Sequence, residues 1–126
     1  MALKKNESKL WQRLKNNIKN GHFVRIESHT IQGIPDINYC INGVEGWIEL
    51  KVNSSKISPL SKWQKSWIYT RVKNGGKVFI ITFTPSERAL KLFKPRPSTR
   101  DPLSDPPVHN FQEPINWSLV AEFLKK

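Results

Sequence analysis

Two carboxylates and a lysine stand where two neighbouring strands would bring them together. Asp36 follows a Gly-Ile-Pro break, and Glu49 precedes Lys51 by two residues, which places both on one face of a strand. The Asn42-Gly43 dipeptide between them predicts a tight hairpin turn. Asp36 lies six residues before that turn and Glu49 six residues after it. We therefore expect the two carboxylates to face each other across antiparallel strands.

This arrangement favours metal-assisted chemistry. Converging carboxylates repel each other unless a cation lies between them, and a hard divalent metal ion is the usual partner. A lysine beside them can position or deprotonate a water and offset negative charge in a transition state. Glu-x-Lys alone carries little information, but here Pro-Asp is followed after twelve residues by Glu-Leu-Lys, with the turn between. The alternative is a solvated strand face on which Glu49 and Lys51 form a surface pair.

Glu7 adds a third carboxylate to the candidates. It falls in the middle of an apolar helical stripe, formed by Leu3, Leu10, Leu14 and Ile18. A charge on the buried face of a helix is costly unless it is paired or bound to a metal. The alternative is that Glu7, near the start of its helix, complements the helix dipole.

Composition limits the classes of protein. The 126 residues allow one domain, and 21 Lys and Arg against 10 Asp and Glu give a net charge of +11. Nucleic acid is the expected partner, because the basic residues are spread along the chain rather than gathered on one amphipathic helix that would suit an anionic membrane surface. The longest apolar run, 78–81, cannot span a bilayer. The single Cys40 excludes an internal disulfide and a Cys-based zinc site, and a reducing cytoplasm (the host's, for a viral protein) is the expected location.

Periodicity and turn residues predict a mixed α/β protein with helices around a sheet. The predicted elements are a helix over 6–20, strands over 22–27, 36–41 and 46–52, a helix from a Ser58-Pro59 cap to a Gly75-Gly76 stop, a strand over 77–83, a short helix over 86–93, a Pro-rich loop or arm over 94–114, and a closing helix over 116–125. Trp63 and Trp67 recur at helical spacing with other apolar residues, so we expect them in the core.

Several of these segments resemble the PD-(D/E)xK nuclease superfamily. The resemblance rests on residues 33–37, 47–51 and 60–64 and on the Gly75-Gly76 stop before the apolar strand, and it covers about residues 6–84. Among its branches the chain is most similar to the small virus-type VRR-NUC proteins and to archaeal and phage Holliday junction resolvases. The resemblance implies a restriction-endonuclease-like αβββαβ core with a central mixed sheet flanked by helices.

The resemblance also implies roles for particular residues. Asp36 and Glu49 would bind Mg²⁺, for which Mn²⁺ can substitute, together with the main-chain carbonyl of Leu50. Lys51 would serve the attacking water, and Glu7 would complete the site. The remaining candidates would lie beside the site or contact DNA: Arg25, which resembles a basic residue of resolvases, His29 in the loop before Asp36, Lys56, Lys62 and Gln64.

These observations lead to the expectation of a magnesium-dependent DNA endonuclease that cleaves phosphodiester bonds at branched structures such as Holliday junctions. Two symmetrical cuts across a junction require a twofold homodimer. The alternatives are a nuclease of another specificity (nicking, flap or restriction-like cleavage) and a non-catalytic DNA-binding protein of the same fold. A pure binding protein would gain nothing from carboxylates pointed at phosphates.

Overall fold

A mixed six-stranded sheet organises the residues that the computed structural model describes, which are 5–28, 30–53 and 60–126. The strands lie in the order of the sequence; β3 and β4 run parallel, and the other neighbouring pairs run antiparallel. In chain order the elements are α1 (Lys5–Asn17), β1 (Gly21–Arg25), β2 (Ile37–Ile41), β3 (Val44–Val52), α2 (Lys62–Lys73), β4 (Val78–Thr84), a 3-10 turn (Pro85–Glu87), β5 (Ala89–Phe93), β6 (His109–Gln112) and α3 (Trp117–Leu124). This arrangement confirms the predicted mixed sheet.

The predicted hairpin joins β2 to β3. Asn42 and Gly43 have φ angles of 50° and 82°, as the two central residues of a tight hairpin turn require. The strands pair from Ile41 opposite Val44 to Ile37 opposite Ile48. The residue before β2 therefore comes level with the residue after Ile48, which brings Asp36 beside Glu49.

The sheet separates two apolar clusters. On one face, Ile48 and Leu50 of β3 pack with residues of α1 and α3. On the other face, Ile68 and Val72 of α2 pack with β4 and β5, and Trp47 of β3 lies against them. Because successive residues of a strand point to opposite faces, the residues of β3 two and four positions beyond Trp47 also point toward α2.

The start of α2 is fixed by a capping box. The Ser61 hydroxyl accepts a hydrogen bond from the Gln64 amide at 3.2 Å, and the Gln64 side chain accepts one from the Ser61 amide at 2.9 Å. The helix therefore begins at Lys62; the predicted Ser58-Pro59 cap lies outside the described residues. At its other end Asn74 is the C-cap and Gly75 has a φ of 92°, as predicted for a glycine stop.

The prediction of a short helix over 86–93 is wrong. Pro85 opens a 3-10 turn, Arg88 adopts a left-handed conformation with φ of 52°, and the chain returns as β5 beside β4. A short apolar run has no period that distinguishes a buried strand from a helix, and pairing with β4 decides the outcome.

The Pro-rich segment 94–114 is only in part a loop. It contains β6, which pairs with β5 and adds the sixth strand. The preceding part folds back on α2: Asp101 lies 3.4 Å from the Lys65 ammonium, and the Arg100 guanidinium stacks over the Tyr69 ring. The predicted closing helix over 116–125 is confirmed as α3. None of the helices in the described ranges combines the length and the apolar character needed to cross a membrane.

Candidate active site

The early end of β2 leaves two amides of β3 available to side chains. β2 pairs with β3 as far as Ile48, and beyond that point the amides of Leu50 and Val52 face the same open side. The Leu50 amide donates to Oδ2 of Asp36 at 2.9 Å, and the Val52 amide donates to Oε2 of Glu7 at 3.4 Å. The carboxylates of Glu7 in α1 and Asp36 in the loop before β2 are thus aligned along one edge of β3.

The third carboxylate, Glu49, is buried between the sheet and α2. Only 2% of its surface is exposed. The side-chain amide of Gln64 donates to its Oε2 at 3.0 Å. Its Oε1 is buried without a donor among the described residues. A side-chain hydrogen bond between Asp36 and Glu49 raises the pKa of Glu49 and lowers that of Asp36, and two carboxyl groups form such a bond only while one of them carries a proton.

Burial and mutual repulsion perturb both buried acids. Burial raises the pKa of Glu49 well above its usual range, and the charges of Asp36 and Glu7 raise it further. Burial also raises the pKa of Asp36, against the lowering effect of the hydrogen bond from the Leu50 amide. The positive charge of Lys51 lowers both pKa values. The carboxylate cluster formed by Glu7, Asp36 and Glu49 therefore holds more negative charge than its surroundings stabilise, and it favours a proton or a cation.

Two further groups of β3, the Lys51 side chain and the Leu50 main-chain carbonyl, lie next to these carboxylates. Lys51 is half-buried and shares the α2-facing side of the strand with Glu49. Its register neighbour in β4 is Thr82, whose hydroxyl is buried and has no hydrogen-bond partner among the described residues. The N–H and C=O of one strand residue point to the same side, so the Leu50 carbonyl is directed to the side on which its amide meets Asp36.

The residues present fit a hard divalent cation. Within residues 5–28, 30–53 and 60–126, no three His, Cys, Asp or Glu side chains stand grouped closely enough to hold an ion as they are. Even so, the cluster offers three carboxylates and a carbonyl, which are the oxygen ligands that Mg²⁺ prefers. Oε1 of Glu49 is buried and has no hydrogen-bond partner in the part of the chain that the structure describes, and a bound cation would explain its placement.

The other predicted site residues lie at different distances from this cluster. Gln64 contacts it directly. Arg25 is exposed at the end of β1 and pairs with Glu27 at 2.6 Å, although the next residue donates its amide to the Asp36 carbonyl at 2.7 Å. Lys62 is exposed, with its ammonium 4.9 Å from the centre of the Trp63 ring. The predicted contacts of His29 and Lys56 lie outside the described residues.

Two positioning features were missed by the sequence reasoning. The capping role of Ser61 could have been recognised from the Ser-x-x-Gln spacing to Gln64. The role of Gly33 is less visible: its φ is 87°, and a Cβ there would lie 2.2 Å from the Trp63 carbonyl oxygen. Only glycine allows this close approach, which packs the loop before Asp36 against the first turn of α2.

The prediction that Trp63 lies in the core is wrong, whereas Trp67 packs partly buried on the α2 cluster. Half of the Trp63 surface is exposed. The buried stripe of α2 runs through Ile68 and Val72, which share a face with Gln64, and Trp63 lies about 100° away from that face.

Comparison with known proteins supports the fold. No protein-family model and no curated protein matches the chain. Among solved structures it is similar to Hjc of Archaeoglobus fulgidus, a Holliday junction resolvase from an archaeal hyperthermophile, with a TM-score of 0.52 and 19% sequence identity over 70% of this chain and 74% of that one. This likeness, together with the six-stranded sheet and its flanking helices, shows that the chain has a restriction-endonuclease-like fold.

Proposed function

We propose that the chain is a divalent-metal-dependent nuclease that hydrolyses phosphodiester bonds in DNA. The observation that carries this proposal is the placement of Asp36 and Glu7 on two free amides of β3, next to the buried Glu49, whose Oε1 has no hydrogen-bond partner among the described residues. The shared fold with a Holliday junction resolvase supports it.

A purely structural role explains the cluster poorly. Burying an ionised carboxylate without full hydrogen bonding lowers the free energy of unfolding, and two such groups in contact lower it further. A protein that only bound DNA would also place negative charge where phosphates approach. A bound divalent cation would lower both costs, because its charge would offset most of the charge of the carboxylates and would attract the phosphate.

Each residue then has a definite task. Glu7, Asp36, Glu49 and the Leu50 carbonyl would hold Mg²⁺, or Mn²⁺ in its place. The bound cation would supply Lewis acidity at the scissile phosphate. Lys51 would hold the attacking water in line with the phosphate and offset the negative charge that develops. Gln64 would keep the Glu49 carboxylate in one orientation.

Branched DNA is the substrate that we propose. The net charge of +11 favours a long phosphate track, and the resolvase of similar fold acts on Holliday junctions. Resolving a junction requires two symmetrical cuts, so we propose a twofold homodimer as the active form. Nicking, flap or restriction-like cleavage would use the same site on other DNA.

A cleavage assay on four DNA structures tests this proposal. Four-way junction, flap, single strand and linear duplex are each incubated with Mg²⁺, with Mn²⁺ and with EDTA. We expect metal-dependent cuts at symmetrical positions in the junction and slower cleavage of linear duplex. Preferred cleavage of another structure would contradict the proposed junction specificity but would still support nuclease activity. DNA binding without cleavage in either metal would overturn the proposal in favour of a non-catalytic DNA-binding protein.

A further inference from the structure

An open groove lies beside the candidate active site, between the loop before Asp36 and the exposed face of α2. Its volume is about 660 Å³, within the range of sites that bind small organic groups. Gln32 lines it from the loop, and the helix contributes Trp63, Trp67, Thr70 and Arg71. The groove shares no residue with the carboxylate cluster, so the proposed chemistry does not account for it.

The groove is nevertheless adjacent to that cluster. Trp63 lines the groove, and the next residue, Gln64, donates a hydrogen bond to Glu49. The Trp63 carbonyl is also the atom against which Gly33 packs, three residues before Asp36. The first turn of α2 therefore lies between the groove and the carboxylates.

Two indoles and a guanidinium, those of Trp63, Trp67 and Arg71, follow one another along this face of α2. The Arg71 guanidinium lies 4.7 Å from the centre of the Trp67 ring and 5.6 Å from that of Trp47. The two indole rings meet edge to face with their centres 5.2 Å apart. These contacts hold Trp67 and Arg71 in place. Trp63 is different, because half of its surface is exposed at the mouth of the groove.

The chemistry of the lining points to a nucleotide. The nine lining residues include two indoles, one guanidinium and several hydroxyl and amide side chains, but no carboxylate. Exposed indoles bind bases by stacking on their faces, without regard to sequence, and a guanidinium attracts the phosphate. A second copy of the chain is a less suitable occupant, because this lining offers a guanidinium and no carboxylate with which the basic groups of another copy could pair.

We propose that this groove binds an unpaired nucleotide of the nucleic acid, with its base stacked on Trp63. This proposal rests on the proposed function, because it takes DNA as the polymer that the protein binds. A strand that leaves the double helix at a branch or an overhang exposes unstacked bases. The groove would capture one such base beside the carboxylates and so favour DNA with unpaired nucleotides.

Binding measured without cleavage tests the proposal. Fluorescence anisotropy in EDTA compares three labelled ligands: a single strand, a duplex with a single-stranded overhang, and a blunt duplex. Trp63→Ala should weaken binding of the first two by roughly 5- to 100-fold and leave blunt duplex nearly unchanged, because stacking of one base is lost. Trp63→Phe should retain most of the affinity, since a ring remains. Val108→Ala, which truncates an exposed apolar side chain elsewhere, is the matched control.

Thermal unfolding of each variant shows whether it is folded, and the conservative Phe variant keeps the test valid if the Ala variant is not. Equal loss on all three ligands, or no loss on any, would overturn the proposal. So would a shift from dimer to monomer caused by Trp63→Ala in the absence of DNA, which would make the groove a contact between copies. This test measures no cleavage, so its outcome is independent of nuclease activity. If the protein does not cut DNA but Trp63→Ala selectively weakens binding of unpaired DNA, the proposed nuclease activity is refuted and nucleotide binding in the groove is supported.

Discussion

The side-chain amide of Gln64 donates a hydrogen bond to Oε2 of Glu49 across 3.0 Å, while the carbonyl oxygen of the same side chain accepts from the Ser61 amide. The Gln64 side chain thus completes the capping box of α2 and also orients Glu49, the most buried carboxylate of the cluster. A side chain with both tasks makes the start of the helix part of the site.

Gln64→Leu is expected to reduce metal-dependent cleavage by about 10- to 100-fold and to raise the Mg²⁺ concentration needed for half-maximal activity. The reason is that Glu49 loses the hydrogen bond from the Gln64 side-chain amide, which holds its carboxylate in one orientation. Initial cleavage rates measured across a magnesium titration check this.

Ser61→Ala is the matched control for that variant. It removes the capping hydroxyl, at a cost of about 0.5–2 kcal/mol in stability, but does not touch Glu49. Its cleavage rate at saturating magnesium should stay near that of the wild type. An equal loss of activity in both variants would mean that Gln64 acts only as a cap.

Glu49→Gln is expected to stabilise the metal-free protein at neutral pH. Because burial raises the pKa of Asp36 and Glu49 above their ordinary values of 3.8 and 4.5, the folded state holds more protons than the unfolded chain between those values and the raised ones. The free energy of unfolding therefore falls as pH rises through that interval and remains lowered above it. Glutamine carries no charge, and its amide can donate to Asp36.

Thermal unfolding in EDTA between about pH 4 and pH 8 measures this effect, with about 3–6 °C expected for each kcal/mol regained. Glu45→Gln, which changes an exposed acid of the same strand, should behave as the wild type does. Magnesium should raise the melting temperature of the wild type more than that of Glu49→Gln. A variant less stable than the wild type at neutral pH in EDTA would contradict the account.

Gly33→Ala is expected to destabilise the protein by more than the about 1–3 kcal/mol of left-handed strain alone. Its Cβ would collide with the Trp63 carbonyl and push the loop before Asp36 away from α2. Gly43→Ala shares the strain, with φ of 82°, but its Cβ would meet nothing within 4 Å. Denaturant unfolding should therefore show a larger loss for Gly33→Ala, and cleavage should fall only in that variant. Equal losses would remove the positioning role of Gly33.

DNA affinity is expected to fall linearly with salt on logarithmic axes. The chain carries a net charge of +11, and each phosphate that it neutralises contributes about −0.9 to the slope on duplex DNA and about −0.7 on single strands. Anisotropy titrations at several salt concentrations in EDTA give this slope. An affinity that is flat between low and physiological salt would contradict a long phosphate track.

The part of the site that the sequence predicted is the part that local rules determine. The Asn42-Gly43 turn fixes the register of its two strands, and a period of two then places Asp36 beside Glu49 and turns Lys51 to the same face. The phase of the first helix predicts that Glu7 points toward the interior. Its contact with the Val52 amide depends on how α1 docks on the sheet, which periodicity does not describe.

The errors arise where distant residues decide the structure. The segment 89–93 is a strand because β4 lies beside it, and 109–112 is a strand because β5 then offers an edge. Neither pairing is visible in the local pattern of the segment itself. The spacing of Trp63 predicts a place in the core, but Ile68 and Val72 already fill the space under α2. The exposed ring is therefore available for a ligand.

The most direct test of the central claim is the single-turnover rate of junction cleavage in magnesium for Asp36→Asn and Glu49→Gln. Both variants keep the size of the side chain and remove its charge, and Lys51→Ala removes the group that serves the water. We predict that each rate falls by roughly a thousandfold or more, while junction binding measured in calcium is retained or becomes tighter and Glu45→Gln cuts normally. Cleavage by Asp36→Asn and Glu49→Gln at the wild-type rate would contradict the assignment of these carboxylates to the chemistry.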